Sequence, residues 1–431
     1  MKFASTRDKN HIVSFQDALF QGLSPDGGLY YPIETPDLKS SFSLFDQNSS
    51  FQDIASSLIV SLLGDEIPES DSQILAKRAF PFSPELKKLN DKINILELYH
   101  GPSSAFKDFG ASFLATSMEY FLNDRDQKAV ILTATSGDTG SAVAKAFYDK
   151  KNIDVVILYP SGRVSPLQEK QMTTLGKNIH ALEVDGSFDD CQRMVKDSFT
   201  DKELSGINLS SANSINLGRL IPQSFYYVWA VSRLKNASEV PVFCVPSGNF
   251  GNLTAGLYAK SWGLETGKFI AATNRNDVVP SYLASAIYTP RASVQTYSNA
   301  MDVGAPSNFE RMQTLYNNDV SLMKKDIIGC MVSDEDTLAT MKYMDEEYGY
   351  AVCPHTAVGI KAAMDRTSKE SNITVLSTAH PGKFMEVYEK AVGKKPQLPA
   401  SLLAVKDLDK VSRLISNSSK ELKKTLLSLF S

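Results

Sequence analysis

The chain has little of what usually announces specialised chemistry. Its four cysteines, Cys191, Cys244, Cys330 and Cys353, lie far apart with no C-x-x-C pair, and only five histidines are present. Neither a disulfide framework nor a clustered zinc site follows from such spacing, so a reducing compartment and no metal are expected. Charge of one sign is also missing: 45 Lys and Arg stand against 49 Asp and Glu, a formal net charge of -4. That balance offers no broad cationic face for a polyanion, which argues against nucleic-acid binding as the main task. No apolar run approaches the ~20 residues needed to cross a bilayer. The beginning, Met1-Lys2-Phe3-Ala4-Ser5-Thr6-Arg7-Asp8, turns polar before an apolar signal core can form. A soluble cytoplasmic protein with no membrane partner is the expectation.

What is present is globular in composition: 42% hydrophobic, 10% aromatic and 22% charged over 431 residues, enough for about two or three domains. Residues 1–92 are mixed in pattern, with an apolar-periodic helix over 54–63 and a Pro-rich passage over 80–84, and read as an N-terminal module. From residue 93 short runs rich in Val, Ile and Leu alternate with longer amphipathic stretches, which is how a parallel sheet covered by helices is written. Strands are expected at 93–98, 129–133, 155–159, 179–184, 240–245, 269–273 and 373–377. Helices are expected at 108–122, 141–148, 188–199, 215–234, 253–262 and 384–392, the third carrying a capping signal at Ser187 to Asp190. This region is taken as 93–392. The remainder, 393–431, reads as a C-terminal helical segment whose last stretch, 412–431, alternates Lys with Leu like a surface helix.

In an open parallel α/β sheet, ligands bind where strands end and helices begin, because the first amides of a helix have no intrahelical acceptor. Four such turns are unusual. Pro246-Ser247-Gly248-Asn249-Phe250-Gly251-Asn252 has glycines for close backbone approach and Asn side chains for extra donors, the chemistry of a phosphate cradle. It is neither a Walker loop nor a dinucleotide fingerprint, and a tight connection built on Gly and Asn alone is the competing reading. Thr133-Ala134-Thr135-Ser136-Gly137-Asp138-Thr139-Gly140 carries more hydroxyls than an N-cap needs and forms a second anion loop. His100 to Gly110 places Lys107 between Phe106 and Phe109. A lysine kept among rings loses solvation and is freed for attack on a carbonyl, whereas a surface lysine would only lay its stem along them. Leu376 to Phe384 ends a strand with Thr378, His380 and Lys383 in a Gly/Pro turn. No metal set, Ser-His-Asp order or G-x-S-x-G elbow competes. An amine nucleophile with two anion loops describes a pyridoxal-phosphate enzyme.

Taken in order, these turns resemble those of the threonine synthases, within the tryptophan-synthase-β-like family of pyridoxal-phosphate enzymes. The resemblance also includes Gly22-Leu23-Ser24-Pro25-Asp26-Gly27-Gly28-Leu29-Tyr30, Ser165-Pro166-Leu167-Gln168-Glu169-Lys170, Ser211-Ala212-Asn213-Ser214-Ile215-Asn216, Asn299-Ala300-Met301-Asp302-Val303 and Thr378-Ala379-His380-Pro381, and so spans nearly the whole chain. It implies a fold-type-II enzyme with two open, mostly parallel α/β lobes plus the N-terminal module, acting as a monomer or homodimer. It implies that Lys107 is the Schiff-base lysine and that Gly248, Asn249, Phe250, Gly251 and Asn252 wrap the phosphate of pyridoxal 5'-phosphate. It further implies that Thr378 faces the pyridine nitrogen and Asp138 lies near the phenolic oxygen. Ser136 and Thr139 are implied to hold the anionic ends of the substrate, and Ser214 and Arg219 its phosphate.

The implied reaction is a lyase reaction in which O-phospho-L-homoserine and water give L-threonine and phosphate, with γ-elimination followed by addition of water at Cβ. Within the same fold the nearest alternative is a serine/threonine dehydratase or cysteine synthase. The N-terminal module and Arg219 argue against it, since a substrate lacking phosphate leaves that cation unpaired. A catalytically silent ligand-binding relative is the alternative from another class, and the intact Lys107 and anion loops argue against that.

Overall fold

A computed structural model describes residues 1–123, 127–135, 137–235, 239–370 and 372–430. Runs such as Ala129–Ala134 and Val242–Pro246 are apolar at nearly every position and buried at every position, so both faces of their sheets must be covered. Two parallel sheets result. One has strands in the order Ile327–Met331, Phe269–Thr273, Val242–Pro246, Ile373–Ser377, Ile93–Glu97 and Glu85–Lys88, only the last being antiparallel to its neighbour. The other, all parallel, runs Arg413–Ser416, Ile179–Asp185, Ile153–Pro160, Ala129–Ala134 and Leu209–Ser210. A small antiparallel sheet of Ile12–Val13, Phe3–Ser5 and Tyr30–Pro32 belongs to the N-terminal part. Among the described residues no helix is long and apolar enough to cross a membrane, and all four cysteines are free thiols.

All seven expected strands of the sequence reading form. The expected helix over 215–234 is broken into Leu217–Leu220 and Gln223–Leu234, because Pro222 has no N–H to continue the ladder and instead caps the second piece. The capping box at Ser187 is made in full. The stretch 412–431 is not simply a surface helix. Arg413–Ser416 adds an edge strand to Ile179–Asp185, and the helix Ser419–Phe430 buries Leu422 and Leu426 with Cys191, Met194 and Val195.

The N-terminal part supports the site. Its helices Phe51–Leu63 and Glu69–Ala79 form part of the same apolar cluster as the helix Lys107–Leu122. Phe51 and Phe82 meet Phe109 edge-on with ring centroids 5.2 and 5.0 Å apart, and Phe80 lies 6.1 Å from it. Offset and edge contacts of this kind add about 0.5 to 1.5 kcal/mol per pair beyond area burial. A second tie is Arg311, fully buried, whose guanidinium donates to the Tyr30 carbonyl at 2.8 Å, the Ile215 carbonyl at 2.7 Å and Asn308 Oδ1 at 2.7 Å.

Candidate active site

The carboxyl ends of the two sheets face a common region, and the four singled-out turns leave from those ends. The turn after Ile93–Glu97 and the turn after Ile373–Ser377 are stitched together by a bridge between Ala105 and Ala379 and by Phe106 N–H donating to the Thr378 carbonyl at 2.8 Å. Lys107 therefore begins its helix beside Thr378, which is buried and whose N–H donates to Thr356 Oγ1 at 3.3 Å.

Lys107 Nζ lies 3.7 Å from Asp138 Oδ2. Asp138 opens the helix Asp138–Phe147 after Gly137, whose φ of +134° only glycine tolerates, and a Cβ there would meet Gln168 Oε1 at 2.6 Å. The other carboxylate oxygen of Asp138 accepts from Lys383 Nζ at 2.9 Å and Gln168 Nε2 at 2.8 Å. Burial alone would raise the Asp138 carboxyl, but Lys383, then Lys107 and His355, outweigh it and hold the group well below the usual carboxylate range. Burial lowers the Lys107 amine, Lys383 and Arg219 push the same way, and Asp138 pulls against them. The expectation that two rings desolvate Lys107 holds for one only. Its Nζ lies 5.7 Å from the Phe106 centroid, whereas Phe109, about 200° further round the helix, points into the N-terminal aromatic cluster.

The loop after Val242–Pro246 approaches its neighbours closely. A Cβ on Gly248 would lie 2.6 Å from Met301 Cα, and Phe250 takes a left-handed φ of 59° to turn the chain into the helix Gly251–Ser261. The first amides of that helix are free of intrahelical acceptors and lie where the cradle was expected. Asn252 is held from below: its Oδ1 accepts from Tyr226 and Tyr227 hydroxyls, each at 2.7 Å, which leaves Nδ2 buried without an acceptor among the described residues. Asn249 links this loop to the next element, donating from Nδ2 to Ser214 Oγ at 2.6 Å and accepting from Ser307 N–H at 2.5 Å.

Arg219 is 3% exposed, yet among the described residues no carboxylate lies within ion-pair distance of it. Its Nη1 donates to the Ala212 carbonyl at 2.5 Å and its Nε has no acceptor. Burial pushes the guanidinium down to about 10, with Asp108 opposing, so it is charged at neutral pH. Gly110 gives it room, since a Cβ there would stand 2.8 Å from Nε. Thr139 is partly exposed on the first turn of the Asp138 helix, and Ser136 lies outside the described residues.

Thus Asp138 and Arg219 both act on Lys107 electrostatically, Thr378 is joined to the Lys107 turn, and Asn249 with Ser214 bridges the cradle to the segment before Arg219. Sequence reasoning gave no role to Lys383, Gln168 or His355. Gln168 stands in a quoted motif and Lys383 in a quoted turn, so each had a signal; His355, in the helix Pro354–Met364, had none. Among the described residues, one group of possible metal ligands converges, Glu85, Glu97 and His100, with ligand atoms within 4.8 Å. Glu97 is already engaged there by His100 at 2.8 Å and Tyr350 at 2.5 Å.

The site contains what a phosphorylated aldehyde cofactor needs: a desolvated amine, a glycine-cut cradle at a helix N-terminus, and a buried donor on Asn252 that lacks an acceptor. Comparison with known proteins agrees. Family models described as threonine synthase N terminus, pyridoxal-phosphate dependent enzyme, and threonine synthase, C-terminal match residues 2–80, 79–379 and 356–426. The threonine synthase of Serratia marcescens is 44% identical over 431 residues, covering 100% of both chains. The crystal structure of pyridoxal-phosphate-bound threonine synthase from Brucella melitensis matches with a TM-score of 0.93 at 36% identity, covering 99% of this chain and 98% of its own. That of the Escherichia coli threonine synthase matches at 0.92 and 40%, covering 100% of each. With relatives this similar over the full length, the chain belongs to the threonine synthase family of pyridoxal-phosphate-dependent lyases.

Proposed function

We propose that this chain converts O-phospho-L-homoserine and water to L-threonine and phosphate, with Lys107 as the residue that carries pyridoxal phosphate. Gly248, Asn249, Phe250, Gly251 and Asn252 would hold the cofactor phosphate, Thr378 would offer the ring nitrogen a neutral hydroxyl, and Asp138 would serve the side of the phenolic oxygen. When bound, the cofactor supplies an electron sink for the charge left at a substrate carbon that has lost a proton. Lys107 Nζ, as a neutral amine, takes the Cα proton and then serves the proton transfers at Cβ and Cγ. Ser214 and Arg219 bind the substrate phosphate and stabilise the charge it carries away from Cγ, while Ser136 and Thr139 hold the carboxylate end.

The observation that carries this reading is Arg219. A buried cation without a carboxylate partner is costly unless an anion comes to it, and the cofactor phosphate already has its own cradle. A second phosphate, on the substrate, fits. The deciding experiment is to incubate the purified, cofactor-loaded protein with O-phospho-L-homoserine and assay threonine and phosphate together. Equal release supports the reading; no turnover of this substrate, with 2-oxobutyrate and ammonia formed from threonine instead, would replace it with a dehydratase. We further propose a division into 1–92, 93–392 and 393–431, a cytoplasmic location, a monomer or homodimer, and no nucleic-acid partner, the last resting on the net charge of -4.

A further inference from the structure

Two lysines face one carboxylate in this site, and their surroundings differ. Lys383 is fully buried in the turn Pro381–Phe384, and its Nζ donates to the Ser103 carbonyl at 2.8 Å, to Ser141 Oγ at 3.1 Å and to Asp138 Oδ1 at 2.9 Å. Three acceptors around one nitrogen match the three donors of an ammonium. They come from two segments, the turn before Lys107 and the first turn of the helix Asp138–Phe147, so the contact crosses between the two sheets. Lys107 meets the same carboxylate only at 3.7 Å, through the other oxygen.

We propose that Lys383 is a positioning residue for Lys107: by taking the ion pair with Asp138 it keeps Lys107 a neutral amine, available to an aldehyde. Resting on the reading of Lys107 given above, this assigns the two ammonium-forming side chains different states. A single carboxylate can neutralise one buried cation well; with Lys383 in place Lys107 is left with a longer contact and a like charge nearby. The other groups that act on this pair are Arg219 and His355, which border Lys107 and Asp138, and Asp108, which faces Lys383 and Arg219. Lys383 and Gln168 together hold Oδ1 of Asp138 within the protein, which leaves only Oδ2 towards Lys107.

The test is competitive acylation of the full-length, cofactor-free chain by trace acetic anhydride across a pH series, with the Lys107 peptide read by mass spectrometry. Lys383→Met removes the cation while nearly conserving length, and the Lys107 midpoint should rise by about one to two pH units. Lys383→Arg should leave it near the wild-type value. Adding Asp138→Asn to Lys383→Met should bring it back to that value or below, since a neutral pair of similar shape leaves no buried charge to attract a proton. If Lys383→Met does not fold, Lys383→Gln, which keeps two N–H donors, makes the same comparison. An unmoved midpoint in a folded neutral variant, or a rise that persists when Asp138 is also neutral, would overturn the assignment. Borohydride reduction of the cofactor-loaded wild type tests the parent reading separately. A label away from Lys107 removes that reading, whereas a label on Lys107 with an unmoved midpoint removes only the role of Lys383.

Discussion

Arg219→Ala separates substrate binding from cofactor binding. The side chain is 3% exposed, makes one hydrogen bond, to the Ala212 carbonyl, and leaves Nε without an acceptor among the described residues. Losing a shielded, charge-assisted phosphate contact costs about 2 to 4 kcal/mol, which is roughly a 30- to 1,000-fold loss in kcat/KM. The folded protein itself loses much less, because the substitution also removes a buried cation with no carboxylate beside it. Kinetics on O-phospho-L-homoserine should therefore collapse while cofactor affinity, read by absorbance titration, changes little. In thermal melts, inorganic phosphate should raise Tm of the wild type by binding the native state, and should do so less in the variant. Arg219→Lys should recover part of the loss, since an ammonium keeps the charge but not the planar fork. Unchanged kcat/KM would refute the assignment, and a lost cofactor spectrum with the phosphate effect on Tm unchanged would move Arg219 to the cofactor.

Three further outcomes follow from particular contacts. His355 is buried, accepts the Ala300 N–H on Nε2 at 3.1 Å, and is held down to about 4 by burial, with Asp138 opposing. Its stabilising contribution is thus present above about pH 6.5 and lost as pH falls towards about 4, on the order of 3 kcal/mol; urea melts over that range should show a shallower acid slope in His355→Gln, and an identical slope would refute this. Removing both hydroxyls that fix Asn252, with Tyr226→Phe and Tyr227→Phe together, should cost about 1 to 3 kcal/mol in urea unfolding and weaken cofactor affinity, because the Asn252 oxygen is left buried and unpaired. Gly248→Ala forces a Cβ to within 2.6 Å of Met301 Cα; cofactor affinity should drop by at least about tenfold, with most of the thermal stability kept.

Much of this architecture is legible in the chain because burial on both faces leaves an unbroken apolar signature, as in residues 155–160 and 269–272. Edge strands lack it. Arg413–Ser416 buries Ile415 alone, and Ile327–Met331 is largely half-exposed and interrupted by Gly329, where a Cβ would press on Pro280 at 2.8 Å. The candidate site was readable where turn chemistry is local, as at Lys107, Asp138 and the loop 246–252. It was not readable where partners come from separate strand ends. Lys383 and Asp138 are brought together by the meeting of two sheets, and the position of Phe109 opposite Lys107 on the helix follows from the 3.6-residue turn that adjacent rings in sequence conceal.

The central claim is that Lys107, opposite Asp138 where the two sheets meet, is the amine that carries the cofactor. Borohydride reduction of the loaded protein followed by peptide mapping tests it directly. The account predicts one pyridoxyl mass addition, on Lys107, with a Lys107→Ala variant that takes up cofactor without being labelled. A label on Lys383 or any other lysine, or full labelling of Lys107→Ala, would contradict it.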